Sequence, residues 1–220
     1  MDISLITSKF FNTEILTAIT IILGFCVATV TDQWQLIKKV QGGLSLKIAS
    51  GYNSAMKMMV INRFGAVIYF SASAYFIETK SSTDELILIY VVSLLSALIF
   101  IIFMSKYYVA NSVLTSDFFK FKKMTSTSFF ANTFSALGLT LPLIAGTIFL
   151  DYRLLLSNAS FFFNTIYTFI MVFYVEAKIA NLIDKSSSDL RSTAFSIIFG
   201  RIMAYLFVGI LYILVLMNAK

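Results

Sequence analysis

Residues 54–77 read SAMKMMVINRFGAVIYFSASAYFI, an apolar run that spans a membrane by length and composition yet carries Lys57 and Arg63 within it. A cation near the bilayer centre costs roughly 2.5–3.5 kcal/mol on insertion scales, so positive charge at that depth implies a partner or a task. The counterpart of such a charge is an anion, either an acidic side chain or the head group of an acidic ligand. Which of the two it is decides how the rest of the chain is read.

Five further apolar runs accompany it, Ile15–Thr31, Leu86–Met104, Phe129–Leu150, Leu154–Val175 and Ala194–Met217. Each is near the ~20 residues a helix needs to cross hydrocarbon. The first is short and draws on Phe10 and Phe11 to complete it. Alternating hydrophobicity is absent, which argues against a β-barrel. The expected fold is an all-α integral membrane protein, one polytopic domain over residues 1–220 with six transmembrane helices. Composition agrees, since 59% of the 220 residues are hydrophobic, 13% are charged and the mean hydropathy is +0.87. A soluble domain carries about 25% charged residues. The tight segments 80–84 and 151–153 predict antiparallel hairpins of spans two and three and of spans four and five. The polar start with Asp2, Lys9 and Glu14 lacks the basic n-region of a signal peptide, so the first run is expected to be a true span.

The net charge of +6 is concentrated on one side. Loops one, three and five hold Lys38, Lys39, Lys47, Lys106, Lys120, Lys122, Lys123, Lys178, Lys185 and Arg191, against Lys9, Lys80, Arg153 and Lys220 on the other. The positive-inside rule places the odd loops in the cytoplasm and both termini outside. Phe118, Phe119 and Phe121 interleave with Lys120, Lys122 and Lys123, a pattern suited to an anionic headgroup layer. That segment either anchors topology or gathers negatively charged lipid; nucleic acid is not an expected partner. With no histidine and with Cys26 alone in an apolar run, no internal disulfide can form, and neither a transition-metal site nor His-based catalysis is expected. No cofactor or metal is expected.

Polar groups recur at membrane depth. Asn53 and Lys57 share one face of span two, and Arg63 points about 120° away from Lys57. Asn132 and Ser135 lie together in span four, where Pro142 interrupts the helix between Gly138 and Gly146. Ser157, Ser160, Asn164 and Thr168 form one stripe on span five that continues toward Glu176. Arg201, Tyr205 and Tyr212 share a face of span six. Such stripes also serve as interhelical glue. Lys57 lies within snorkelling reach of the cytoplasmic surface, and Arg201 has Glu176 and Asp184 as candidate ion-pair partners. Lys57, Arg63 and Arg201 face no carboxylate at comparable depth, because Asp32, Glu176 and Asp184 fall at span ends. An interior with surplus positive charge and many hydroxyl and amide groups suits a phosphate or diphosphate bearing sugar hydroxyls.

The stretch with Asp32, Lys39, Gly42, Lys47-Ile48-Ala49 and Arg63 resembles the Amj family of bacterial lipid II flippases. So does the later stretch of Val175-Glu176-Ala177-Lys178, Asp184 and Gly200-Arg201; together they cover about half of the chain. Lys39 stands where the family pattern has arginine, and Glu176 where it has an aspartate followed by proline. The resemblance implies a non-enzymatic transporter in the bacterial cytoplasmic membrane that translocates a polyprenyl-diphosphate-linked sugar, lipid II, for peptidoglycan synthesis and cell shape. Its expected partners are that lipid, anionic membrane lipids and cell-envelope synthesis proteins. Arg63 and Arg201 would bind the diphosphate, with Lys57 or Lys39 receiving it and Asn53, Asn132, Ser160, Asn164 and Tyr205 contacting the head group. Asp32, Gly42, Pro142, Glu176 and Asp184 would support or gate the movement, aided by Gly200 and Gly209. Two rivals stand beside this expectation: a membrane enzyme acting on a lipid phosphate, and a non-catalytic scaffold subunit. Against the enzyme, the loops carry no close acidic cluster for Mg²⁺.

Overall fold

The computed structural model describes residues 13–79, 82–109, 122–186 and 189–218. The Phe118–Phe121 part of the third loop and the side chain of Ser157 lie outside the described set. Helices α1 (Thr13–Leu44), α2 (Ile48–Thr79), α3 (Thr83–Val109) and α4 (Lys122–Ile148) are followed by a 3₁₀ turn, Leu150–Tyr152. Then come α5 (Arg153–Ile170), a π-helical segment (Met171–Glu176), α6 (Ala177–Asp184) and α7 (Leu190–Asn218). α5, the π segment and α6 run on as one rod, so among the described residues six apolar helices are long enough to cross a membrane. The chain is an all-α, multi-pass membrane protein.

Several spans outrun their apolar sequence. The first does not stop at Thr31, since no glycine or proline breaks it there, and the Thr31 hydroxyl folds back onto the Val27 carbonyl at 2.5 Å. Beyond it α1 becomes amphipathic, burying Gln33, Leu36, Ile37 and Val40. It ends in a Schellman-type turn, with the Lys47 amide donating to Gly42 at 3.0 Å and Leu46 left-handed at φ 57°. Only three residues separate α1 from α2, and these two helices form the closest pair in the bundle.

Glycine makes that pairing possible. A Cβ on Gly24 would sit 2.7 Å from the Tyr69 backbone nitrogen, and one on Gly65 2.7 Å from that of Ala28. Gly42 and Gly51 meet in the same way near the loop, so Gly42 is a packing residue. Small residues let membrane helices approach until backbone dispersion and polar contacts act, since lipid provides no hydrophobic drive between them. The expected hairpin of spans two and three is not packed. α1 stands between them, with α2 on one side and α3, which also leans on α7, on the other. The hairpin of spans four and five does form, α5 lying on α4 through the 3₁₀ turn.

α4 passes through Pro142 as a continuous helix. Proline offers no N–H to the Gly138 carbonyl and loosens the ladder around it. The neighbouring Leu139 carbonyl accepts the Tyr69 hydroxyl at 2.8 Å, so the loosened turn fastens α2 to α4. The Thr140 and Tyr212 hydroxyls, bonded to each other, tie α4 to α7. Gly65→Ala is expected to cost about 1–3 kcal/mol by overpacking, read as a lower melting midpoint in detergent. Gly209→Ala, whose new methyl would meet nothing within 4 Å, should leave the midpoint unchanged or raise it.

Candidate functional site

α7 carries Arg201 into the centre of the bundle, where its side chain is 1% exposed. Each guanidinium nitrogen donates a hydrogen bond: Nη2 to Asp32 Oδ2 at 2.6 Å, Nη1 to Gln33 Oε1 at 2.9 Å, and Nε to Asn132 Oδ1 at 2.7 Å. The Asn132 amide in turn donates to the Ser128 carbonyl at 2.7 Å and to its hydroxyl at 3.1 Å, and that hydroxyl donates to the Ile197 carbonyl at 2.7 Å. From α5 the Tyr167 hydroxyl donates to Asp32 Oδ2 at 2.8 Å. One buried arginine thus joins α1, α4, α5 and α7.

This corrects the sequence reading in two respects. Arg201 pairs with neither Glu176 nor Asp184, and a carboxylate does lie at its depth. Asp32 reads as a span end because hydropathy falls at Thr31-Asp32-Gln33, but α1 continues and carries Asp32 inward against α7. Arg201 and Asn132 are engaged by the protein's own groups in this structure, so Arg201 presents no open guanidinium face to the cleft.

Arg63 has a different setting. α2 rests on α1 and α5 rests on α4, but α2 and α5 share no extended contact. Between them lies a cleft of about 800 Å³. Its floor holds Thr29 and Asp32 of α1, Ser135 and Leu139 of α4, and Tyr205 of α7. One wall presents Met59, Asn62, Arg63, Ala66 and Phe70, spaced to share a face of α2; the other presents Asn164, Thr165, Tyr167, Thr168, Phe169, Val172 and Phe173. Asn62 donates to the Ala28 carbonyl at 2.5 Å, holding the α2 wall to the floor. Arg63 is exposed, and among the described residues no carboxylate lies within ion-pairing distance of it. The cleft therefore combines a polar floor, one cation without an acidic partner, and lips rich in aromatic rings such as Phe161, Phe169 and Phe173.

A second cavity of about 30 Å³ lies on the other side of Asp32, bounded by Gln35, Leu36, Lys39, Tyr52, Met171, Val175, Glu176, Ile179 and Arg201. Lys39 Nζ and Glu176 Oε1 form an ion pair across it at 2.6 Å, with side chains 16% and 47% exposed. Lys39 also lies 5.7 Å from the centre of the Tyr52 ring. Asp32 and Gln35 border both cavities and form the partition between them.

The remaining expected site residues divide accordingly. Asn164 and Tyr205 line the cleft with Arg63. Lys57 and Asn53 are exposed on another part of α2 and line neither cavity. Ser160 is buried away from the cleft, Pro142 is buried in α4, and Asp184 is exposed at the end of α6. The sequence reading missed Gln33, Asn62 and Tyr167. Tyr167 was within reach, lying three residues from Asn164 on the same polar stripe; Asn62 sits beside Arg63 in a stretch read only for its cation.

Arg201→Leu should destabilise the protein by about 1–3 kcal/mol for each buried acceptor left without its donor, Gln33 and Asn132, while Asp32, partly exposed to the cleft, loses its cation. Tyr167→Phe removes one hydrogen bond and should cost only about 0.5–1.5 kcal/mol. Thermal melts of the two variants in one detergent measure the difference, and equal midpoints would show that the network does not hold the bundle. Comparison of the chain with family models, with characterised proteins and with solved structures finds no match.

Proposed function

We propose that the protein is a transporter of the bacterial cytoplasmic membrane that translocates a polyprenyl-diphosphate-linked sugar, such as the lipid II precursor of peptidoglycan. The observation that carries this reading is Arg63, an intramembrane cation on an ~800 Å³ cleft with no acidic partner among the described residues. A charge in such a place is costly unless an anion visits it. A diphosphate offers several oxygens to a planar guanidinium, and charge-assisted pairs of this kind are among the stronger polar contacts. Asn164, Ser135 and Tyr205 lie on the same cleft to meet sugar hydroxyls.

The shape of the cleft favours a lipid over a soluble anion. Its two walls belong to helices that do not pack together, so it is open sideways between α2 and α5, where the hydrocarbon lies. A head group enters the polar floor while its chain stays against the apolar lips. In this reading Arg201 holds the floor in place, and Lys39, at the cytoplasmic side by the distribution of basic residues, meets the head group there. Anionic lipid and envelope-synthesis proteins remain the expected neighbours.

Purified protein in liposomes should translocate a fluorescent polyprenyl-diphosphate sugar. Arg63→Ala is expected to lower the rate about tenfold or more with its melting midpoint unchanged, as loss of a charge-assisted hydrogen bond of ~1.5–3 kcal/mol implies. Arg63→Lys should retain part of the rate, since it keeps the charge and loses the fork. Full translocation by a folded Arg63→Ala variant would remove Arg63 from the mechanism.

A further inference from the structure

The partition beneath the cleft is built from two ion pairs in series. Asp32 and Lys39 are seven residues apart on α1, about 10 Å along the axis at 1.5 Å per residue, and lie on one face. Asp32 reaches across to Arg201 of α7, and Lys39 to Glu176 at the end of the π segment. The small cavity lies between these pairs and is lined by all four residues. Asp32 borders both cavities, so a path from the Lys39 end of α1 through the small cavity to the cleft meets both pairs.

We infer that the two pairs are a closed double gate on the side of loops one and five, and that the structure is the state of the transporter shut toward the cytoplasm. The inference rests on the transport reading of the cleft. The pairs differ in what opening requires. Arg201 is buried and triply bonded, so the inner pair parts only when an arriving anion, a head-group phosphate or the sulfonate of an anionic reagent, takes over its guanidinium. Lys39 and Glu176 are partly solvated, and exposed ion pairs contribute little, so the outer pair parts readily.

Glu176 is also the last residue of the π segment, Met171–Glu176. The wider turn divides the rod's side chains between the cavities: Val172 and Phe173 line the cleft, whereas Met171, Val175 and Glu176 line the small cavity. Short π-helical turns are uncommon and frequent at functional sites. Reversion of this turn to α-helix would rotate α6 relative to α5 and draw Glu176 away from Lys39. The same element thus connects occupancy of the cleft to the state of the outer pair.

The sole cysteine makes this testable, because Cys26→Ala leaves a background without thiols. A reporter is placed in the cleft as Ala66→Cys and challenged with a membrane-impermeant, negatively charged methanethiosulfonate from the cytoplasmic face of inverted vesicles. With both ion pairs intact the reporter should react slowly. Glu176→Gln and Lys39→Gln should each accelerate modification from that face, by about fivefold as loss of an exposed ion pair allows. The charge-reversed pair K39E/E176K should return the rate to within about twofold of the parent.

Equal rates in all four proteins would overturn the gate. So would equal acceleration from both faces, which signals general loosening, or a reporter that never reacts in any variant. The assay contains no lipid-linked sugar. Labelling that follows the ion pair while translocation fails would leave the gate standing and remove the substrate.

Discussion

The bundle depends on Arg201 and Asp32 meeting in its interior. A guanidinium at that depth requires bonding at every nitrogen, and those bonds reach α1 and α4 directly and α5 through Tyr167. Removing one partner leaves an uncompensated charge in a low-dielectric setting, which costs far more than an intact pair contributes. The network therefore acts as a registry device: α1, α4, α5 and α7 can be assembled with only one relative height and rotation. The close glycine-mediated contact of α1 with α2 then sets the position of the second helix.

Those two constraints create the cleft as a by-product. α2 is held to α1, and α5 to α4, but nothing holds α2 to α5 along their length. The Tyr69 bond to Leu139 fixes α2 against α4 instead. The open space is bordered by whatever the two helices happen to present, which is Arg63 on one side and the Asn164–Thr168 stripe on the other. The two deep arginines consequently carry opposite assignments. Arg201 is satisfied internally, whereas Arg63 is supplied with space and polar neighbours but, among the described residues, no carboxylate within ion-pairing distance.

How far this was legible in the residues differs from element to element. Six spans follow from hydropathy, because an 18-residue apolar segment has few other stable places. Arg63 stood out as a costly charge, and Asn164 and Tyr205 stood out as polar groups at helical spacing. Arg201 stood out equally, yet nothing in its local sequence told it apart from Arg63. The difference is a carboxylate on a helix far away in the chain, at a position where hydropathy reports a boundary that the backbone ignores. The packing of α2 on α1 rather than on α3 was hidden for a related reason. Loop length limits which helices are adjacent, but close approach of glycines decides which of them pack.

By itself the sequence determined the class, the number of spans, the side on which basic residues gather, and the list of polar groups forced into the membrane. All of these are properties of segments, governed by transfer free energies that add along the chain. Only the tertiary structure decided which polar groups satisfy one another and which face a space. That is a matter of distance and direction between helices, and a charge buried at a given depth has the same insertion cost whether its partner is a neighbouring carboxylate or a ligand still to arrive.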